Sequence, residues 1–316
     1  MIRYINPKIT DSEVKHIYQL IKTDFGLVAE PFTLHTPSVK LLAAAWMLLR
    51  ETMLVGYMPR YQKEAVAVAI SQLNECPYCV DAHTIMLHAD SQHQLAQDLD
   101  KQQYNELTAW AINPQQPVPD INHMDEVAAT IVAFHYYNRM VHVFLDETPL
   151  FNFLSFKSIQ RRTVGLSLRQ TIKQEKIWGS SLDLLPDEGT LPHALAWAKN
   201  NPLLTNTLKR WSHTVEQGGK RVLANETRQL VLSQLAKWSG EPKPLGSNWI
   251  NEIQVERDLL AETQFVLLVA FAPYRVNASI VDRFRQSHPL DKDIVEAAGW
   301  ASYVAACRIG ELISLS

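Results

Sequence analysis

The sequence predicts an all-α chain built as a duplicated helical bundle. Three observations carry this. Among 316 residues there are only 11 glycines, against many alanines and leucines, which favours helices over sheets. Apolar residues recur at i, i+3, i+4 and i+7 along most of the length. A stretch of the second half can also be laid over the first without a gap. Setting Glu226 on Glu64 pairs Ser233-Gln234-Leu235 with Ser71-Gln72-Leu73.

The elements follow in order. Asp11 to Lys22 opens the series, with Val14, Ile17, Tyr18 and Ile21 on one face. Phe32 to Pro37 reads as a connector. Thr36-Pro37-Ser38 then signals the start of a helix over Val39 to Leu49. Arg60 to Leu73 carries a stripe of Val66, Ile70 and Leu73, filled in by Ala65, Ala67 and Ala69. Cys76 to Ala89 forms the other arm of a helical hairpin. Gln92 to Asp100 and Asn105 to Asn113 read as short helices, and Pro114, Pro117 and Pro119 mark the loop after them. Asp125 to Leu145 is a long helix with Val127, Ile131, Phe134 and Val141 facing inward.

Phe151 to Trp178 bridges to the rest of the chain, and Gly179 to Pro192 has the Ser, Asp, Gly and Pro content of a linker. A second helical series follows at Leu203 to Gln217, Asn225 to Trp238, Ser247 to Phe271, Ala278 to Gln286 and Asp291 to Ser314. The expected organisation is a first repeat at 1–155, a bridging helix and linker at 156–192, and a degenerate repeat at 193–316. In the overlaid frame Trp238 and Glu241 stand where the first half has Cys76 and Cys79, and Leu245 where it has His83. The second copy therefore lacks the groups for thiol chemistry.

Bulk properties narrow the function. Hydrophobic residues at 47% and charged residues at 20% are ordinary globular usage. A net charge of −3, with no basic cluster beyond Arg161-Arg162, argues against nucleic acid. The first residues lack the apolar core of a signal peptide. The most apolar run, Phe265 to Ala272, is too short to span a bilayer. Three cysteines make no disulfide framework, so the expectation is a soluble cytoplasmic protein.

Chemistry concentrates in Glu75-Cys76-Pro77-Tyr78-Cys79-Val80-Asp81-Ala82-His83. Two of the three cysteines stand one helical turn apart, and a histidine follows four residues after the second. Such a pair either binds metal or cycles between dithiol and disulfide. Zinc would need a further ligand, and no second Cys/His pair has zinc-finger spacing. Redox geometry is satisfied if a helix starts near Cys76 with Pro77 in its first turn. Positions i and i+3 then lie about 5 Å apart at Cα, within disulfide reach. Cys79 in the first turn would gain from the helix dipole as a thiolate. His83, on the same face, could take the thiol proton, and a buried carboxylate could orient it.

This constellation resembles the AhpD-like superfamily, which includes alkylhydroperoxidase D and carboxymuconolactone decarboxylase. The family pattern is a glutamate, eleven residues, CxxC, three residues and a histidine. Glu64, Cys76-Pro77-Tyr78-Cys79 and His83 match it at every spacing, and Met58-Pro59-Arg60 and Ser71-Gln72-Leu73-Asn74 also look like the family. The resemblance implies a helical AhpD-like bundle in which the second cysteine, Cys79, attacks a peroxide. Cys76 resolves the sulfenic acid, and Glu64 with His83 forms the proton relay. One departure is Tyr78, where the best-studied members have a histidine. Cys-Pro-Tyr-Cys is also the glutaredoxin tetrapeptide, but there it follows a β-strand, whereas here a helical period precedes it.

The resemblance thus implies a thiol-dependent peroxidase or disulfide reductase with no organic cofactor and no metal. Its partners would be a hydroperoxide and a lipoyl- or thioredoxin-type reductant, with no nucleic acid and no membrane. Single-repeat members pack against one another, so a homo-oligomer, dimer or trimer, is expected. Two alternatives stay open: a decarboxylase or isomerase on the same fold, and a non-catalytic redox sensor. Cys307 reads as a small buried hydrophobe. His88 and Asp81 read as surface residues. His135 and His142, seven apart on one helix face, read as packing or interface residues with a weaker chance of lining a pocket.

Overall fold

The computed structural model describes residues 2–9, 11–91, 101–146, 171, 174–241, 248–251 and 255–313. Among these the chain is all-α, and its β structure is one isolated bridge between Ile2 and Leu145. Helix α1 runs over Ser12–Phe25, capped by the Asp11 carboxylate on the Glu13 N–H and closed by Gly26 in the left-handed region. It extends one turn past Lys22 because Phe25 still faces the core. A short α2 over Glu30–Thr33 overlaps the first two residues of the connector expected at Phe32 to Pro37.

Helix α3 spans Val39–Leu49, as its start signal indicates, and continues into a π turn at Arg50–Leu54 that no local period announces. Helix α4 (Arg60–Leu73) and α5 (Pro77–Ser91) form the hairpin. Helix α6 covers Lys101–Ile112, starting earlier than the sequence pattern suggests, and α7 covers Met124–Phe144. The helix expected at 92–100 and most of the bridge at 151–178 lie outside the described residues.

In the second half, α8 covers Pro202–Val222 with Pro202 at its first position and the Asn201 side chain as its cap. Helix α9 covers Asn225–Ala236. The single helix expected from Ser247 to Phe271 is instead a short α10 (Asn248–Asn251) and a separate α11 (Leu260–Phe271). Helices α12 (Ala278–Arg285) and α13 (Asp291–Leu312) close the chain.

The long helices α7 and α13 pack along each other, and α8 lies against both α3 and α13. Their buried faces join one hydrophobic cluster that includes Trp46, Phe134, Trp211, Phe265 and Trp300. Polar side chains also cross between the halves. Ser38, at the cap position of α3, donates to Glu296 at 2.7 Å instead of capping its own helix. The segment expected as a linker is tied down: Glu51 accepts the Gly179 and Ser181 N–H groups and the Ser181 hydroxyl. Buried Arg50 holds Glu51 and donates to the Ile177 carbonyl. The π turn thus directs two charged side chains inward as a clamp.

Candidate functional site

The turn between α4 and α5 sets the site. Glu75 adopts a left-handed φ of 52°, which reverses the chain in two residues. The Cys76 N–H then donates back to the Ser71 carbonyl at 2.9 Å, and the Cys76 carbonyl receives the Val80 N–H. Cys76 is therefore the cap residue of α5, Pro77 its first position, and Cys79 lies in its first turn. Both cysteines are buried free thiols.

The antiparallel return brings α4 back to His83. Glu64 is 1% exposed. Its Oε2 accepts the His83 Nδ1 proton at 2.7 Å, and its Oε1 accepts from Arg60 Nε at 3.1 Å. Burial works to raise the Glu64 pKa, but the charges and hydrogen bonds of His83 and then Arg60 outweigh it. The carboxyl is held below its ordinary value. With Nδ1 donating to Glu64, Nε2 carries the lone pair of the neutral ring. Phe134 stands edge-on to the imidazole at 4.5 Å and fixes its plane.

Cys79 sits in a different balance from the one the helix dipole suggests. Burial, and then the hydrogen bond and charge of Cys76, push its thiol well above the ordinary value, while a hydrogen bond from Asn138 pulls it down. The thiol therefore stays protonated at neutral pH, and a base has to take its proton as it reacts. Tyr78, between the cysteines, donates its hydroxyl to Glu30 at 2.7 Å.

Cys79, His83 and Tyr78 line a small cavity of about 70 Å³. Its walls are otherwise apolar: Phe25, Phe32, Leu49, Met86 and Phe134 among them. The structure thus brings together Cys76, Cys79, His83 and Glu64. It adds Arg60, Asn138 and Glu30, to which sequence reasoning gave no role. Arg60 was legible as a base four residues before Glu64 on one helix face. Asn138 and Glu30 come from distant segments and carry no local signal.

The remaining candidates fall elsewhere. His88 is exposed. Cys307 is buried, and that burial raises its thiol pKa. His135 and His142 line a separate cavity. Among the described residues no three His, Cys, Asp or Glu side chains cluster to hold a metal ion, and no helix is long and apolar enough to cross a membrane.

Fold and site together define an all-α protein with a buried dithiol at a helix start, backed by a carboxylate–imidazole pair. The model of the carboxymuconolactone decarboxylase family matches residues 40–112, which include the whole hairpin. The chain is 35% identical over 326 residues to an alkyl hydroperoxide reductase of Mycobacterium tuberculosis, an alignment covering 99% of this chain and 94% of that one. No solved structure matches. The chain belongs to the carboxymuconolactone decarboxylase, AhpD-like, family.

Proposed function

We propose that the protein is a thiol-dependent peroxidase acting on organic hydroperoxides through Cys79 and Cys76. The observation that carries this is the 2.7 Å bond between Glu64 and His83, one turn from Cys79, which lines an apolar cavity together with His83. A high Cys79 pKa makes the base necessary. His83 Nε2 takes the thiol proton as the sulfur attacks the terminal peroxide oxygen, and Glu64 offsets the imidazolium charge. The O–O bond breaks, the leaving alkoxide takes the proton from His83, and the alcohol departs. Cys79 is left as a sulfenic acid. The Cys76 thiol then displaces water from it and closes the disulfide. A dithiol reductant of lipoyl or thioredoxin type restores both thiols.

The apolar walls suit a hydroperoxide with a hydrocarbon body better than hydrogen peroxide, which gains nothing from burying them. The relative's name supports the same reaction class. In this reading the second half is a copy of the first without the CxxC–histidine set, and it acts by packing. The dithiol works in a reducing compartment, the cytoplasm. Consumption of cumene hydroperoxide, assayed with dihydrolipoamide and with thioredoxin as reductants, tests the proposal. Turnover by wild type, and none by Cys79→Ser or by protein alkylated at its thiols, is expected. Absence of peroxide turnover with any dithiol would defeat it. A decarboxylase would keep its activity after alkylation.

A further inference from the structure

A second cavity, of about 290 Å³, lies where the α4–α5 turn and α7 meet the second half, and it shares no lining residue with the pocket at Cys79. Arg139, in the C-terminal part of α7 and 6% exposed, lines it. The guanidinium is oriented rather than neutralised. Nε donates to the Ala270 carbonyl at 3.0 Å. Nη1 donates to the His135 carbonyl at 2.8 Å and to His135 Nδ1 at 3.2 Å. Among the described residues no acceptor meets Nη2, and no carboxylate forms an ion pair with Arg139. Burial alone acts on its pKa, which falls to about 10, so the group remains a cation at neutral pH.

A buried charge without a counter-ion is costly, and chains rarely keep one unless something offsets it. His135 cannot, because its Nδ1 accepts from both Arg139 and Asn74 and burial keeps it neutral. The surroundings suit an anion with an apolar body. Trp238 lies under the guanidinium at 5.7 Å, and Phe271 and Tyr274 complete an aromatic wall. The volume is at the small end of ligand pockets. Glu75 is the one acidic group on the lining, and it is exposed at the rim.

We infer that this cavity binds a small organic carboxylate, its anion on Arg139 Nη2 and its apolar body against Trp238 and Phe271. The inference does not rest on the peroxidase reading, because Arg139, Trp238 and Phe271 have no part in it; of the cavity's lining only Asn138 also meets Cys79. Titration calorimetry with benzoate, and with benzamide as the neutral analogue, tests it on the full chain. Wild type should bind benzoate at least tenfold more tightly than benzamide. Arg139→Gln should lose that preference.

Because Arg139→Gln removes a link between the halves, a second variant keeps the test sharp. Glu75→Gln changes an exposed side chain only and should tighten benzoate binding several-fold by removing the like charge at the rim. Equal binding of benzoate and benzamide to wild type would overturn the site. So would no benzoate binding at all, or unchanged benzoate affinity in both variants.

Discussion

Cys79 meets two opposed influences within one turn of helix: the N-terminus of α5 favours its thiolate, and burial beside Cys76 disfavours it. Burial wins, so spontaneous reaction with iodoacetamide should be slow at pH 7 and climb at pH values above the ordinary thiol range. Mass mapping against pH checks this. Cys76→Ser treated with one equivalent of cumene hydroperoxide should trap a single dimedone adduct on Cys79, and Cys79→Ser should trap none. An adduct on Cys76 in the second variant would reverse the roles. Removing the base assistance should show in peroxide-driven oxidation. Glu64→Gln and His83→Ala are each expected to slow it by about 10²–10⁴-fold, with less than additive loss in the double variant, since both act on one proton path. Glu64 also carries a pH signature in stability. Its folded pKa is depressed, so its contribution is present above about pH 4.3, the unfolded value, and fades as pH falls through the folded one. The stability gap between wild type and Glu64→Gln should therefore narrow on acidification in urea titrations. Cys76, Cys79 and His83 were legible in sequence as candidates because they lie at fixed offsets on one helix, whereas Glu64, on the preceding helix, was singled out only by the family pattern. Arg139 and Asn138 were not, because their meaning depends on which side chains α7 meets across the fold.

At the scale of elements, the same distinction decides what the sequence revealed. Helices α3 and α4 have their bounds written in apolar period and start signals, and both were readable to the residue. The π turn after α3 was not, because its cause is tertiary: Arg50 and Glu51 are drawn inward to Asp24, Ile177 and Ser181. Composition likewise marked 179–192 as a linker, whereas the Glu51 acceptors that fix it lie more than a hundred residues away. The loop entering α4 shows how tightly such contacts can bind a backbone. Glu126 of α7 accepts the Tyr57 and Met58 N–H groups and pairs with buried Lys63, whose ammonium also donates to the Val55 carbonyl. Gly56 sits against that pair at φ 119°, and an added Cβ would collide with the Glu126 carboxylate and with Lys63 Nζ at 2.7 Å. Gly56→Ala combines left-handed strain with a displaced buried ion pair. A loss of at least ~2 kcal/mol in urea denaturation is expected, and a loss under ~0.5 kcal/mol, the surface-substitution range, would mean the loop relaxes freely.

For the whole molecule, the question is what the second half leaves undone. Its Glu226 is exposed on α9, unlike buried Glu64, so Glu226→Gln should leave Cys79 reactivity unchanged. The shared core around α7 and α13 absorbs one face of each half, yet a patch of large apolar side chains remains outside it. Ile177 is 78% exposed, Tyr57 66% and Trp178 46%. Tyr57 packs edge-on to Trp178 at 4.7 Å and stacks on His123 at 4.8 Å, so the patch is one contiguous surface beside the Arg50 clamp. Such clusters favour association, because covering them removes apolar area from water. A dimer or trimer is therefore expected, with light scattering giving a multiple of the 36.0 kDa chain mass. Ile177→Glu places a charge in the patch and should shift the population toward the single chain. Leu290→Glu, at another exposed apolar position, should not. A mass of one chain at every concentration would show that the patch stays in water, and an unchanged multimer in Ile177→Glu would locate the interface elsewhere.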